Sequence, residues 1–216
     1  MTNEANDVEL LNAWVGGDRS AGNQLFVRYF TQVFRFFRFK VGPAADELTQ
    51  KTFLGVLENA ANVDASRGLR GYLFGVARNQ LLMHLRTTRR EAARFDPGSW
   101  SLADAGLEAP KLLARHREQE VLAAALAQLP FDYQCALELH YWEGLDVAEI
   151  AVALAAPEGT IKARLSRGRK LLRVALEAQW RSEPELLQSV VGDLDRWLRA
   201  LPDLVHRGSN AQRDRE

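Results

Sequence analysis

A chain of 216 residues with 47% hydrophobic content is long enough to bury one large core or two small ones, and it does not have the composition of a disordered protein. Its 28 Lys and Arg balance its 28 Asp and Glu, so net charge names no partner, and only a local concentration of charge can point to one. A single cysteine, Cys135, excludes an internal disulfide, and the opening MTNEANDVELL lacks the basic start and apolar run of a secretory signal. No window approaches the roughly 18 to 20 apolar residues of a bilayer span, so a cytoplasmic protein that does not cross a membrane is expected.

Helical periodicity dominates from the start. Asp7 is placed to cap a helix through Leu10, Leu11, Trp14 and Val15, which stops at Gly16 and Gly17, and Asp18 or Ser20 can open the next one. In that second helix Phe26, Phe30, Val33, Phe34 and Phe37 follow the spacing of one helical face until Gly42 and Pro43 end it. A third helix is predicted from about Ala44 to Asn59. After the loop at 61–68 comes a long fourth helix with Phe74, Ala77, Leu81 and Leu85 on one face. Residues 1–91 thus read as a four-helix domain. From Ser66 to Arg90 this domain carries Arg67, Arg70, Arg78, Arg86, Arg89 and Arg90 without a carboxylate.

Residues 92–111 mix Pro, Gly, Ser and Asp without periodicity and read as a flexible linker. A second helical domain is predicted over 112–176. Leu122, Leu126 and Leu129 stripe a helix closed by Pro130, Asp132 is placed to cap the next, and Cys135, Leu139 and Trp142 face inward before Glu143 and Gly144. Asp146 and Glu149 have capping-box spacing at the head of a short helix with Val147, Ile150, Ala151 and Leu154 on one side. Beyond Pro157 the stretch EGTIKARLSRGRKLLR holds six cations and no acid after its first residue. Ile161, Leu165, Gly168 and Leu172 face in, which leaves Lys162, Arg164, Arg167, Arg169, Lys170 and Arg173 to project outward.

A short helix, a tight turn and a basic helix make the helix-turn-helix plan, whose second helix enters the major groove. A merely solvated face usually mixes both signs, and a membrane-surface helix pairs its charges with bulky aromatics, so nucleic acid is the better reading of this helix. Phosphate contacts alone carry no sequence information; specificity needs Glu158, Thr160, Lys162, Ser166 or Arg167 at base edges. In the first domain, Arg78, Asn79 and the aromatic Tyr72 have the composition that single-strand capture requires, a cationic groove with a flat stacking surface. Tyr72 also reads as a core aromatic with its hydroxyl at the rim.

At these residues the chain resembles the bacterial sigma factors of the extracytoplasmic-function group. EIAVALAAPEGTIKARLSRGRKLLR is similar to that family's fourth-region helix-turn-helix. DELTQKTFLGVL, from Asp46 to Leu57, looks like its second-region helix, and RGYLFGVARNQLLMHLRTTRR, from Arg70 to Arg90, looks like the segment that follows. The resemblance covers roughly residues 8 to 176, with both motifs in the family's order. It implies an alternative initiation factor whose partners are core RNA polymerase and promoter DNA, with an anti-sigma protein as a further partner class. It implies polymerase docking through Asp46, Glu47, Leu48, Gln50, Lys51 and Phe53. It implies −10 contacts through Arg67, Tyr72, Arg78, Asn79, Arg86 and Arg89, and −35 contacts through Glu158, Gly159, Thr160, Lys162, Arg164, Ser166, Arg167 and Arg169. The chain departs from the family where Tyr72 replaces a frequent Trp, Met83 a frequent Asp, and Ala155 the usual corner Gly.

Past Leu176 the resemblance ends, and residues 177–216 form an extension. Ser182 and Glu185 have capping-box spacing, and Leu186, Val190, Leu194, Trp197 and Leu201 make a helical stripe before a polar tail. Such a stripe must pack somewhere, either on the second domain as an added structural helix or as a regulatory element that masks the basic helix or docks a partner. The histidines are scattered, and Cys135 and His140 are spaced as no common zinc pair. No phosphate loop, HExxH or nucleophile elbow is present, so neither metal, cofactor nor catalytic residue is expected. The expected fold is all-α: two small helical domains joined by a linker, the second with a helix-turn-helix, plus the extension. Two other functions fit less of the chain: a helix-turn-helix regulator that delivers no polymerase, and an all-helical interaction protein acting through its extension.

Overall fold

The computed structural model describes residues 4–60, 63–64, 68–88, 96–103, 117–180 and 184–200. In chain order its α-helices are α1 (Glu4–Val15), α2 (Arg19–Val41), α3 (Ala45–Glu58), α4 (Leu69–Thr88), α5 (Arg117–Ala127), α6 (Phe131–Tyr141), α7 (Val147–Ala153), α8 (Glu158–Gln179) and α9 (Pro184–Gly192). A 3-10 turn, Gly42–Ala44, joins α2 to α3, and residues 194–200 are again helical. No strand occurs among the described residues, and no described helix is long and apolar enough to cross a membrane. Two compact units result: Met1–Ala93 with Leu145–Ile161, and Arg94–Gly144 with Lys162–Glu216.

In the first unit, α2 is the central helix. Asp18 caps it, its carboxylate accepting the Ser20 N–H at 2.8 Å. The predicted face of α2 is rotated in the structure. Leu25, Tyr29, Val33, Phe36 and Phe37 are buried, whereas Phe26 is 36% exposed. Phe26, Phe30 and Phe34 instead form a flanking ladder with ring centroids 4.9 and 5.7 Å apart, and Phe26 also meets Phe53 of α3 at 4.9 Å. With apolar residues on more than half its circumference, α2 has two candidate stripes, and the one that includes Tyr29 wins.

Tyr29 also explains why Asp7 is not a cap. Helix α1 begins before it, and Asp7 is fully buried, accepting hydrogen bonds from the Arg28 guanidinium and the Tyr29 hydroxyl. A buried carboxylate is tolerated when a cation and a second donor satisfy it, and this pair pins α1 to α2. Burial, then the bond to Asp7, push the Tyr29 hydroxyl well above the usual phenol range.

Helix α4 buries Phe74, Ala77, Leu81 and Leu85 at 1% exposure or less, as their spacing predicts. It packs on α3 and, along another face, on α7. That second contact depends on Gly71: a Cβ there would lie 2.7 Å from the Glu149 carbonyl oxygen and 3.0 Å from the Val152 Cβ. Beside it, Arg70 Nη1 lies 3.3 Å from Glu149 Oε1, both side chains buried.

The second unit buries Leu122, Leu126, Leu129, Phe131, Cys135, Leu139, Leu172 and Leu176. Each such side chain contributes about 1.5 to 3 kcal/mol of transfer free energy. Residues 96–103, within the expected linker, are tied to this unit: Phe131 N–H donates to Trp100 O at 2.9 Å, Asp132 N–H to Pro97 O at 3.0 Å, and Leu102 is buried. Gly168 lets α8 approach α6 closely, since a Cβ there would meet Leu137 Cδ1 at 3.3 Å. In the extension, Ser182 and Leu201 lie outside the described residues. The side chain of Leu186 is not among those described; of the rest of the extension, Trp180, Val190, Leu194 and Leu198 are buried and Trp197 is half-buried, the turn at Asp193 breaking the single helix that the stripe assumed.

The corner after α7 turns on Ala155, whose φ of 48° makes it the one non-glycine residue with positive φ among the described residues. Left-handed backbone costs an L-residue about 1 to 2 kcal/mol, part of which glycine returns through greater unfolded-state freedom. Ala155→Gly should therefore stabilise the protein by about 0.5 to 1 kcal/mol, raising its melting temperature by roughly 1 to 4 °C in a calorimetric scan. An unchanged or lower value would show that the corner is not strained.

Candidate nucleic-acid and polymerase interfaces

The turn between α7 and α8 is built from local signals. Asp146 closes the predicted capping box: its side chain accepts Glu149 N–H at 2.8 Å, and Glu149 Oε2 accepts Asp146 N–H at 2.8 Å. Leu154 ends α7, Ala155 reverses the chain, and Pro157 leads into α8, its carbonyl accepting from Thr160 and Ile161. Helix α8 then runs 22 residues with Ile161, Leu165, Gly168 and Leu172 buried.

At its start Glu158, Gly159, Thr160 and Lys162 are exposed, and nothing lies within 4 Å of a Cβ built on Gly159. Ser166 and Arg167 continue this open surface. A helix N-terminus with short side chains, a glycine and a lysine lets nucleic acid approach the backbone closely and offers it N–H donors.

Two of the six cations expected to project outward do otherwise. Arg164 Nη2 lies 2.6 Å from Asp132 Oδ2, with the side chains 18% and 7% exposed. Asp132 is not a cap either; Pro130 is the N-cap of α6, and Asp132 sits buried in the first turn, where it requires a counter-charge. Arg169 is half-buried and donates from Nη1 to the Tyr141 hydroxyl at 3.1 Å. That bond, with Asp195 nearby, holds its guanidinium charged even more firmly than usual, while burial first raises the Tyr141 hydroxyl. The exposed cations of α8 are Lys162, Arg167, Lys170 and Arg173.

On the first unit, the residues expected at the −10 element separate into groups. Tyr72 and Asn79 line one cleft of ≈ 440 Å³ with Asn59, Val76 and Gln80, and the Tyr72 hydroxyl donates to Asn59 O at 3.1 Å. Tyr72 is therefore a rim residue, half-buried with its ring on the cleft. Arg78 is half-buried and outside that lining, Arg86 is exposed near the end of α4, and Arg67 and Arg89 lie outside the described residues. Arg70, in none of the predicted contact sets, is buried against Glu149. The signal for that packing was Gly71 with Gly75, two small residues one turn apart on α4.

On α3, Asp46, Glu47, Gln50 and Lys51 are exposed along one stripe, and Lys51 pairs with Glu47 at 2.5 Å. This bond lowers the Glu47 carboxyl below its usual range. Leu48 and Phe53, expected on the same docking surface, are buried at 2% and 6% and support the stripe from beneath. Sequence reasoning passed over Leu54, which is 56% exposed one turn beyond Gln50 and gives the stripe an apolar end.

Residues 25–91 match the family model of sigma-70 region 2, and residues 119–172 match that of sigma-70 region 4. The ECF RNA polymerase sigma factor SigM of Mycobacterium tuberculosis is 29% identical over 171 residues, covering 78% of this chain and 84% of that one. SigL of the same species is 30% identical over 137 residues, covering 62% and 75%. Among solved structures, CnrH in complex with the cytosolic domain of CnrY shares the fold, with a TM-score of 0.57 and 23% identity over 80% of this chain and 98% of that one. The chain belongs to the ECF sigma factors, the alternative sigma factors that direct promoter recognition by RNA polymerase.

If the Arg164–Asp132 pair holds α8 to α6, removing either partner strands a poorly solvated charge. Arg164→Ala or Asp132→Ala should each lower unfolding stability in urea by roughly 2 to 4 kcal/mol, with a coupling of about 1 to 3 kcal/mol in the double-variant cycle. A fully solvated DNA-contacting arginine would give almost no stability change and no coupling.

Proposed function

We propose that this sigma factor divides its work among three surfaces. The exposed stripe of α3, formed by Asp46, Glu47, Gln50 and Lys51 with Leu54 at its end, docks on core RNA polymerase. The cleft of Tyr72 and Asn79 receives an unstacked base of the −10 element, with Tyr72 as stacking surface and Asn79 as hydrogen-bonding side chain. The head of α8, from Glu158 to Lys162 with Ser166 and Arg167, reads the −35 element in the major groove. Arg164 and Arg169 serve there as struts that orient the helix through Asp132 and Tyr141.

The observation that carries this reading is the helix-turn-helix with an open N-terminal surface on its second helix, in the same chain as an aromatic and amide-lined cleft. The domain division that goes with it is 1–91 for polymerase and −10 DNA, 92–111 as connection, 112–176 for −35 DNA, and 177–216 as an addition. The factor acts in the cytoplasm, contributes no catalytic residue, and leaves the chemistry to the polymerase. An anti-sigma protein is a further partner class, in the manner of the sigma factor RpoE in complex with the anti-sigma factor NepR from Bartonella quintana.

The test is transcription from a promoter library by core RNA polymerase with and without this protein, mapping start sites and upstream sequence. Discrete new starts sharing a spaced pair of elements are expected. Lys162→Glu should change the preferred upstream element, and Asn79→Ala should cut open-complex formation roughly 10-fold while leaving that element unchanged. No new starts from a folded protein that binds core enzyme would overturn the reading.

A further inference from the structure

The extension does more than add a helix to the second unit. Its described part buries Trp180, Val190, Leu194 and Leu198, and the Trp142 indole N–H donates to Leu198 O at 2.9 Å. Tyr141 joins it to the recognition helix: its hydroxyl donates to Asp195 Oδ1 at 2.8 Å and accepts from Arg169 Nη1 at 3.1 Å. The Arg199 guanidinium lies over the Tyr141 ring at 5.8 Å. Between α8 and the extension an open groove of ≈ 640 Å³ remains, with Ser166, Arg169, Lys170 and Arg173 on one wall and Asp193 and Asp195 on the other.

Ser166, Lys170 and Arg173 continue the exposed strip that begins at Lys162, since 162, 166, 170 and 173 are spaced three or four apart on one side of a helix, and the half-buried Arg169 lies beside them. Ser166 belongs both to the predicted base-reading set and to the groove. A phosphate backbone following this strip would meet the cations that the two carboxylates face. Both aspartates are exposed, so their charge is not spent on filling a core.

We propose that the extension is a built-in competitor for DNA phosphate: Asp193 and Asp195 occupy the electrostatic field of the second half of α8 and weaken DNA binding until they are displaced or neutralised. This rests on the reading of α8 as the −35 helix. The chain holds a basic helix in check with its own acids, and the segment that does so lies beyond both regions matched to the family.

The two carboxylates can be neutralised without disturbing their packing. Asn at 195 keeps an acceptor for the Tyr141 hydroxyl. Asn at 193 keeps the cap on the 194–200 helix, where Arg196 N–H donates to Asp193 Oδ1 at 3.3 Å. Deleting the extension would instead uncover Leu198's contacts and strand the Trp142 N–H, so isosteric exchange is the informative change.

Full-length protein would be titrated into a labelled random-sequence duplex at several NaCl concentrations, following fluorescence anisotropy. Asp193→Asn with Asp195→Asn should bind about 3- to 10-fold tighter at low salt, with a log–log salt dependence steeper by about one. Asp195→Glu, which keeps the charge, should stay at wild-type affinity. Glu9→Gln with Glu177→Gln, two exposed carboxylates on α1 and α8 outside the groove, matches the double variant's change in net charge. An Asp193→Asn, Asp195→Asn variant no tighter than this control, or weaker than wild type, overturns the proposal while leaving the sigma reading intact. Wild type and variants that all fail to bind duplex at low salt would overturn the reading of α8, and the proposal with it.

Discussion

One buried carboxylate, that of Glu149, sets both the start of α7 and the packing of that helix on α4. It accepts the Asp146 N–H that opens α7, and it lies within 3.3 Å of the Arg70 guanidinium on α4. Desolvating a carboxylate costs several kcal/mol unless hydrogen bonds and an opposite charge replace its water, and here both are supplied together. The cap fixes where a helix of only seven residues begins, and so where the corner at Ala155 falls. The ion pair fixes the same helix on α4, where Gly71 leaves no room for a side chain. Losing the charge at 149 would disturb a helix start and a helix packing in one step.

The cations of α8 are divided by the same rule of neutralising what is buried. Asp132, placed in the first turn of α6, draws in Arg164, and the Tyr141 hydroxyl, placed at the end of α6, draws in Arg169. These contacts lie on opposite ends of one helix and act as two struts between α6 and α8. What remains exposed, Lys162, Arg167, Lys170 and Arg173, is a smaller set than a count of basic residues suggests. Phosphate affinity scales with the cations that actually release counterions, so an α8 that reads DNA as proposed above would draw a larger share of recognition from specific contacts at its N-terminus.

Local signals were legible in the sequence, and long-range pairings were not. The Asp146–Glu149 capping box, the Asp18 cap, the inward face of α4 and the four inward positions of α8 follow from spacing alone, because each is decided within one or two turns of chain. Asp7 and Asp132 have the residue type of caps, yet both are buried ion-pair partners of cations 21 and 32 positions away. No local pattern announces such a pair. The phenylalanines of α2 were ambiguous for another reason: with two apolar stripes on one helix, the choice between them belongs to whatever packs against it. Of the candidate site, the exposed head of α8 and the α3 stripe were readable, while the burial of Leu48 and Phe53 and the sorting of Tyr72 and Asn79 away from Arg78 required the tertiary arrangement.

Balanced charge therefore has a structural meaning here rather than a compositional one. A chain with 28 charges of each sign can still present a strongly positive surface if its acids are consumed internally, as Asp7, Asp132 and Glu149 are. Acids that stay exposed have the opposite effect on any cation within a Debye length of about 8 to 10 Å, and salt weakens that effect as it weakens phosphate binding. Asp193 and Asp195 are of this second kind. In the competition proposed above, their influence on α8 thus shares its ionic-strength dependence with the DNA contact. In the proposed competition the neutral Tyr141 junction, which donates to Asp195 and accepts from Arg169, sets how close that carboxylate stands to the helix.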